Sequence, residues 1–282
     1  MTYDDWEKTS TWLETIAMAV RKKWNALNPE RSIILSTDTG HLRGFPFNQG
    51  GGYPEPGSEM DWVFSRPYFD ILIDGNHHHT GNVKAWVQKY KKPVVAQESR
   101  DDSGQTWSYR YPEMRTHLRK YCWKMMMAKC QQVDIYAKPQ ITLLPVQEIA
   151  EPSNNYDPSG WNEFENDAIL LREFFDGILD YGALEYKGYF WISTVGVNLV
   201  LSSDKEILAY VSSPTGLENM EFINNGAHVF LQDLPFPDGR YEASFFDPKS
   251  GPAGSRMITI RKGETRFRTP IFTDDMAVHI IN

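Results

Sequence analysis

Apolar positions repeat at helical spacing in the first stretch of the chain. Trp6, Trp12, Leu13, Ile16, Ala17, Val20 and Trp24 predict a helix over residues 1–28, closed by Asn28-Pro29. Ser32 to Thr37 then reads as a short apolar strand. A long loop follows from His41 to Met60, with Gly50-Gly51-Gly52 and three prolines; a loop of that length beyond a strand is the usual form of a binding rim. Tyr68 to Asp74 predicts a second strand, Asn82 to Tyr90 a short helix, residues 93–97 a third strand, Tyr111 to Ala128 a Met-rich helix and Gln132 to Tyr136 a fourth strand. Strand and helix alternate throughout this region. Such alternation predicts parallel strands joined by crossover helices.

Pro139 to Gly160 is rich in Pro, Asn and Ser and reads as a linker. Asn162 to Gly177 predicts another helix, with Phe164, Ala168, Leu171, Phe174 and Phe175 on its apolar stripe. From Tyr189 the period changes from helical to alternating. Short strands are predicted at Phe190–Thr194, Val197–Leu201, Ile207–Ser212, Ala227–Leu231, Arg240–Phe246, Arg256–Ile260, Thr265–Arg268 and Met276–Ile281, separated by turn residues such as Asn224-Asn225-Gly226 and Lys262-Gly263. Eight strands at this spacing argue for an antiparallel β-sandwich. The fold class is therefore α/β plus all-β. The expected division is an α/β region over 1–182 and a sandwich over 183–282.

Composition narrows the function. The chain has 282 residues, 41% of them hydrophobic and 23% charged, enough for a sizeable core. Nine Trp and 14 Tyr supply core and also flat platforms for sugar faces. A net charge of −8 argues against nucleic acid as the main partner, which needs a basic surface. No apolar run reaches membrane-spanning length, so no membrane partner is expected. Cys122 and Cys130 form neither a disulfide framework nor a zinc-finger spacing. The first residues, Met1-Thr2-Tyr3-Asp4-Asp5, show no signal peptide, which favours the cytoplasm if the chain is complete.

Lys92-Pro93-Val94-Val95-Ala96-Gln97-Glu98-Ser99 carries the sharpest chemical signal. Pro93 sits at the strand start, Val94 to Ala96 suit a strand covered on both faces, and Glu98 emerges before a polar loop. In a (β/α)8 barrel the C-terminal end of a strand is where catalytic side chains stand. The competing reading is a solvated strand-end carboxylate. Asp38 and Asp74 also fall at predicted strand ends, as loop acids, sugar-hydroxyl ligands or a partial substitute for a second carboxyl group.

Further along, Tyr241 to Gly251 runs as a strand, then Asp247-Pro248, then a Gly turn, and Pro270 is followed by Asp274 and a closing apolar strand. With these motifs in this order, residues 4–140 resemble the second half of the (β/α)8 barrel of the clan-A retaining glycoside hydrolases, and residues 189–282 resemble the C-terminal β-sandwich of some of those enzymes. The resemblance implies a partial, half TIM barrel followed by the sandwich, with Ile33 to Thr37 as the fifth barrel strand. It places Glu98 as the nucleophile at the end of strand seven and starts the strand-six match at Asp70. It implies a carbohydrate substrate, no cofactor, and an extracellular or periplasmic setting. The acid/base glutamate of the family belongs at the end of strand four, which would precede Met1. The chain is then expected to be a fragment or a degenerate half-barrel, inactive alone, and to self-associate through open barrel edges.

The remaining candidates surround Glu98. His41, Asn76, His77 and His78 fall in loops after predicted strands and are candidate substrate contacts; which of His77, His78 and His79 faces the site is open. The His run with Asp74 is also the basis of a metal-dependent hydrolase reading, although successive residues of extended chain point in opposite directions. Trp107, Tyr109 and Trp161 fall in loops after strands seven and eight as stacking platforms or rim packing, and Arg100 and Arg110 can hold a nearby carboxylate ionised or pair with Asp101 and Asp102. A third reading, from another class, is a non-catalytic carbohydrate-binding or structural protein.

Overall fold

The computed structural model describes residues 6–38, 58–74, 80–99, 113–135, 159–186, 190–192, 197–212, 223–224 and 226–282. Contacts divide the chain into two compact units, Met1–Gly104 with Ala128–Thr142, and Gln105–Met127 with Leu143–Asn282.

The first unit holds helix α1 (Trp6–Leu27), strand β1 (Ser36–Asp38), helix α2 (Glu59–Ser65), β2 (Ile71–Asp74), α3 (Thr80–Tyr90), β3 (Val94–Ser99) and β4 (Cys130–Ile135). The four strands form one parallel sheet in the order β1-β2-β3-β4. Each strand is thus beside its sequence neighbour. Crossovers of one hand lay their helices on one face of such a sheet, as in a barrel and unlike a doubly wound sheet, whose order reverses. Leu72 and Val94 are buried in the sheet, α2 buries Met60, Val63 and Phe64, and α3 buries Val83 and Trp86. Phe64 meets Trp86 edge-on at 5.2 Å and Tyr90 at 5.3 Å.

Helix α2 lies at the end of what the sequence predicts as loop. Its signal is Ser58 followed by Glu59 and Asp61: Ser58 accepts a hydrogen bond from the Asp61 N–H at 3.2 Å and caps the helix. At the other end, Lys92 Nζ donates to the carbonyls of Phe64 at 2.8 Å and Arg66 at 2.6 Å. The apolar stripe of α1 is only partly covered. Trp6 packs edge-on against Trp62 at 5.5 Å and Ala17 is buried, but Trp12 is 50% exposed.

The second unit holds helices α4 (Glu113–Met127) and α5 (Ser159–Asp176) and ten strands: β5 (Phe190–Ile192), β6 (Val197–Ser202), β7 (Glu206–Ser212), β8 (Ile223–Asn224), β9 (His228–Leu231), β10 (Gly239–Asp247), β11 (Gly251–Ile260), β12 (Thr265–Arg268), β13 (Phe272–Thr273) and β14 (Asp275–Ile281). All their pairings are antiparallel, in a five-stranded sheet β11-β10-β14-β7-β6, a three-stranded sheet β12-β9-β5 and a short β13-β8 pair. Ile207, Ala209, Val211, Met276, Val278 and Ile280 from the larger sheet share one buried cluster with Val229, Leu231 and Phe267 from the smaller. Two antiparallel sheets over one core fit a sandwich.

The intervening residues of the same strands face helices. Leu208, Tyr210 and Ala277 cluster with Trp123 and Met127 of α4 and Phe174 of α5. Trp123 stacks on Tyr210 at 5.6 Å, with the rings 10° from parallel. The larger sheet is therefore covered on both faces, which explains why every residue of β7 is buried. The grouping differs from the expected boundary at 182/183, because α4 and α5 bury their aromatic residues with the strands.

Gly226 has φ +91°, and a Cβ there would lie 2.5 Å from the Thr269 carbonyl oxygen, so only glycine fits the turn before β9. Cys122 and Cys130 are free and buried.

Candidate active site at the sheet edge

The parallel sheet brings three acidic residues to one edge. Asp38 closes β1, Asp74 closes β2 and Glu98 is the penultimate residue of β3. The register aligns Asp38 with Ile73 and Asp74 with Ala96, so each successive acid stands slightly further out along the sheet. The β3–β4 ladder shifts register twice, between Val94 and Val95 and again around Glu98, where Ala96 is opposite Val133 and Ser99 opposite Ile135, three steps on one strand against two on the other. An extra residue in a strand bends it locally, and such irregularities are over-represented beside active sites. The carboxyl end of a parallel sheet is where ligands bind in barrels and in open α/β sheets alike.

Asp70 is at the opposite edge, just before β2. Its carboxylate accepts hydrogen bonds from Arg21 Nη2 at 2.5 Å and from the Leu35 N–H at 2.8 Å, and Arg21 also donates to the Tyr68 carbonyl at 2.9 Å. Partial burial works against its ionisation. The Arg21 hydrogen bond, the Leu35 amide and the charges of Arg21 and Lys92 outweigh that, and its pKa falls below the usual carboxylate value. Asp70 thus joins α1 to the entry of β1 and β2.

Trp161 falls in the first turn of α5, not in the loop before it, because the helix starts at Ser159. His41, Asn76, His77, His78, His79, Arg100, Trp107, Tyr109 and Arg110 lie outside the described residues. Among the described residues, no group of three or more His, Cys, Asp or Glu is placed to hold a metal ion, and no helix is long and apolar enough to cross a membrane.

The sequence reading missed a second polar centre, in the other unit. Arg119 of α4 is buried and donates through Nη2 to Asp275 Oδ1 at 2.9 Å, while the Tyr210 hydroxyl donates to Asp275 Oδ2 at 2.8 Å. Asp274 lies 3.7 Å from both Arg119 and Lys120. Burial pulls the Arg119 pKa down, but Asp275 more than reverses this and the net shift is upward. Burial and Asp275 together push the Tyr210 hydroxyl well up. These groups are enclosed and already paired, so the centre holds α4 to β7 and β14. The available signal was an Arg-Lys pair on an apolar helix and an Asp-Asp pair opening an apolar strand.

No protein-family profile and no curated protein matches the sequence. Solved structures do resemble the fold. One is a glycoside hydrolase at 10% identity, over 91% of this chain and 54% of that chain, with a TM-score of 0.42. Another is a glycoside hydrolase family 5 protein from Bacteroides vulgatus at 12% identity, over 79% and 53%, with a TM-score of 0.45. A GH30 endoxylanase from Clostridium papyrosolvens matches at 11% identity, over 79% and 52%, with a TM-score of 0.42. The chain spans about half the length of these structures.

Proposed function

We propose that this chain is a glycoside hydrolase-like protein acting on O-glycosidic bonds of an oligosaccharide or polysaccharide, with Glu98 as the nucleophile of a retaining mechanism. The observation that carries the reading is the shared strand edge of Asp38, Asp74 and Glu98, with Glu98 within the second of two register shifts of the β3–β4 ladder. In a retaining reaction one carboxylate attacks the anomeric carbon and forms a glycosyl ester, while a second carboxyl group protonates the departing oxygen and then activates water. Glu98 is assigned the first role. The second role has no assigned residue; Asp38 and Asp74 are the first to mutate for it, and otherwise act as acceptors for sugar hydroxyls.

This division of labour allows a test of Glu98 alone. A glycoside with a strongly acidic leaving group, such as a dinitrophenyl 2-fluoro-glycoside, needs no proton from the protein to depart. The fluorine also slows hydrolysis of the ester. Intact-mass analysis after incubation is expected to show one added glycosyl group, located on the peptide containing Glu98, and none in Glu98→Gln. Labelling elsewhere, or labelling that persists in Glu98→Gln, removes Glu98 from the role. Carbohydrate binding with no labelling at all favours the non-catalytic binding protein.

A further inference from the structure

The smaller sheet carries a pocket unrelated to the acidic strand edge. It is an open, solvent-facing depression of about 320 Å³, lined by Phe230, Thr259, Arg261, Glu264, Thr265 and Arg266. The β11–β12 hairpin that forms its wall is tightly built. Arg261 and Glu264 exchange two backbone hydrogen bonds of 2.9 Å around Lys262 and Gly263, whose φ values of +52° and +72° define a two-residue turn with both central residues left-handed. Arg266 is opposite Phe230 in the β12–β9 register, and its guanidinium lies 4.4 Å from the centre of that ring. Stacking holds the guanidinium plane and leaves its N–H edges free for a partner.

Among the described residues neither Arg261 nor Arg266 forms an ion pair, although the protein as a whole is acidic at −8. The segment Arg256 to Arg268 contains five basic residues and one acidic one, so the positive charge is concentrated here. The acidic residue, Glu264, belongs to the pocket, and its carboxylate accepts a hydrogen bond from Gln232 Nε2 at 3.4 Å. Two arginines and one carboxylate in the lining leave the pocket net positive, which suits a ligand with a single negative group and several hydroxyls. The arginine forks match a planar carboxylate, and Glu264 and the exposed Thr259 match hydroxyl groups. A polyphosphate or nucleic-acid strand would meet repulsion from Glu264 within the pocket.

We propose that this pocket binds a uronic acid, a carboxylated sugar, with its carboxylate on Arg261 and Arg266 and its hydroxyls toward Glu264 and Thr259. The choice of a sugar as carrier of the carboxylate rests on the carbohydrate reading above; the anion specificity rests on the pocket alone. The site would hold the protein on an acidic polysaccharide at a place separate from the acidic strand edge.

Titration of the full chain with sodium glucuronate, glucose, inorganic phosphate and a single-stranded oligonucleotide, followed by calorimetry, tests this. Saturable binding of glucuronate is expected, with none of glucose and weaker binding of phosphate. Arg266→Lys keeps the charge and loses the fork, and is expected to weaken glucuronate about tenfold. Arg261→Ala is expected to do at least as much; both side chains are exposed, so unchanged melting temperatures confirm that the fold is intact. Glucose binding as strong as glucuronate, tighter binding of phosphate or oligonucleotide, or glucuronate affinity untouched by both substitutions would overturn the proposal. Glu98→Gln is expected to bind glucuronate like the parent protein. The glycosyl labelling of Glu98 is read separately, so the pocket and the catalytic reading fail independently.

Discussion

Asp70 receives the Arg21 guanidinium and the Leu35 amide on one carboxylate, and this fixes its ionised form. Its folded-state pKa lies below its ordinary value of 3.8. A carboxylate depressed on folding contributes stability above its unfolded pKa and loses that contribution as pH falls through the folded value. The urea midpoint is therefore expected to drop as pH falls below about 4, and Asp70→Asn to lower the midpoint at pH 7 while flattening that acid limb. A parent protein and variant with parallel pH profiles would contradict the assignment. Glu98 was legible in the sequence because Val94 to Ala96 and the loop after Ser99 mark a strand end without any partner being known. The work of Asp70 was not, because Arg21 lies 49 residues away and the ion pair is made only by the fold.

Helices and strands followed their periodicity closely. All eight predicted strands after Tyr189 are present, and β7 shows both alternating sets of side chains buried, as does β14 from Asp275 to Val278, which a one-sided sheet would not give. What the pattern could not reveal is which helix supplies the second cover. The contact between α4 and β14 rests on two neighbouring acids with opposite surroundings. Asp275 is fully buried and accepts from Arg119 and Tyr210, whereas Asp274 has φ +67° and a buried Oδ1 with no hydrogen bond. Removing the Asp275 carboxylate takes from the buried Arg119 guanidinium its hydrogen-bonded partner and leaves Asp274 at 3.7 Å, and Asp275→Ala is expected to cost about 3–5 kcal/mol in denaturant titrations. Asp274 differs. Burial raises its pKa against the pull of Lys120 and Arg119, so ionising it costs stability, and that loss appears as pH rises through the raised value. Asp274→Asn suits the left-handed backbone, and is expected to change stability by less than about 1 kcal/mol at pH 7 and to remove that slope. Equal losses in the two variants would refute this contrast.

At the scale of the molecule, the switch in hydrophobic period near Tyr189 correctly marked where the antiparallel strands begin, but compactness does not follow the same line. Residues 105–127 and 143–182 group with the strands because Trp123, Met127 and Phe174 need Leu208, Tyr210 and Ala277 for cover. Residues 183–282 expressed alone would expose that face and lose Arg119. They are expected to bind an apolar dye and to melt less cooperatively than the full chain by calorimetry. A sharp transition with no dye binding would make the strands self-sufficient.

The strand order of the larger sheet carries a consequence for the birth of the protein. β14 stands between β10 and β7, and without it the sheet is two separate pairs, β11-β10 and β7-β6. On the ribosome, the residues of both pairs leave the exit tunnel before residues 275–281 can join them. Every nascent chain therefore passes through an interval in which Met276, Val278 and Ile280 are missing from the middle of the core and the edges of β10 and β7 are exposed together. The closing of this unit is set by when one strand leaves the exit tunnel, and chaperone dependence during synthesis should end as that strand docks.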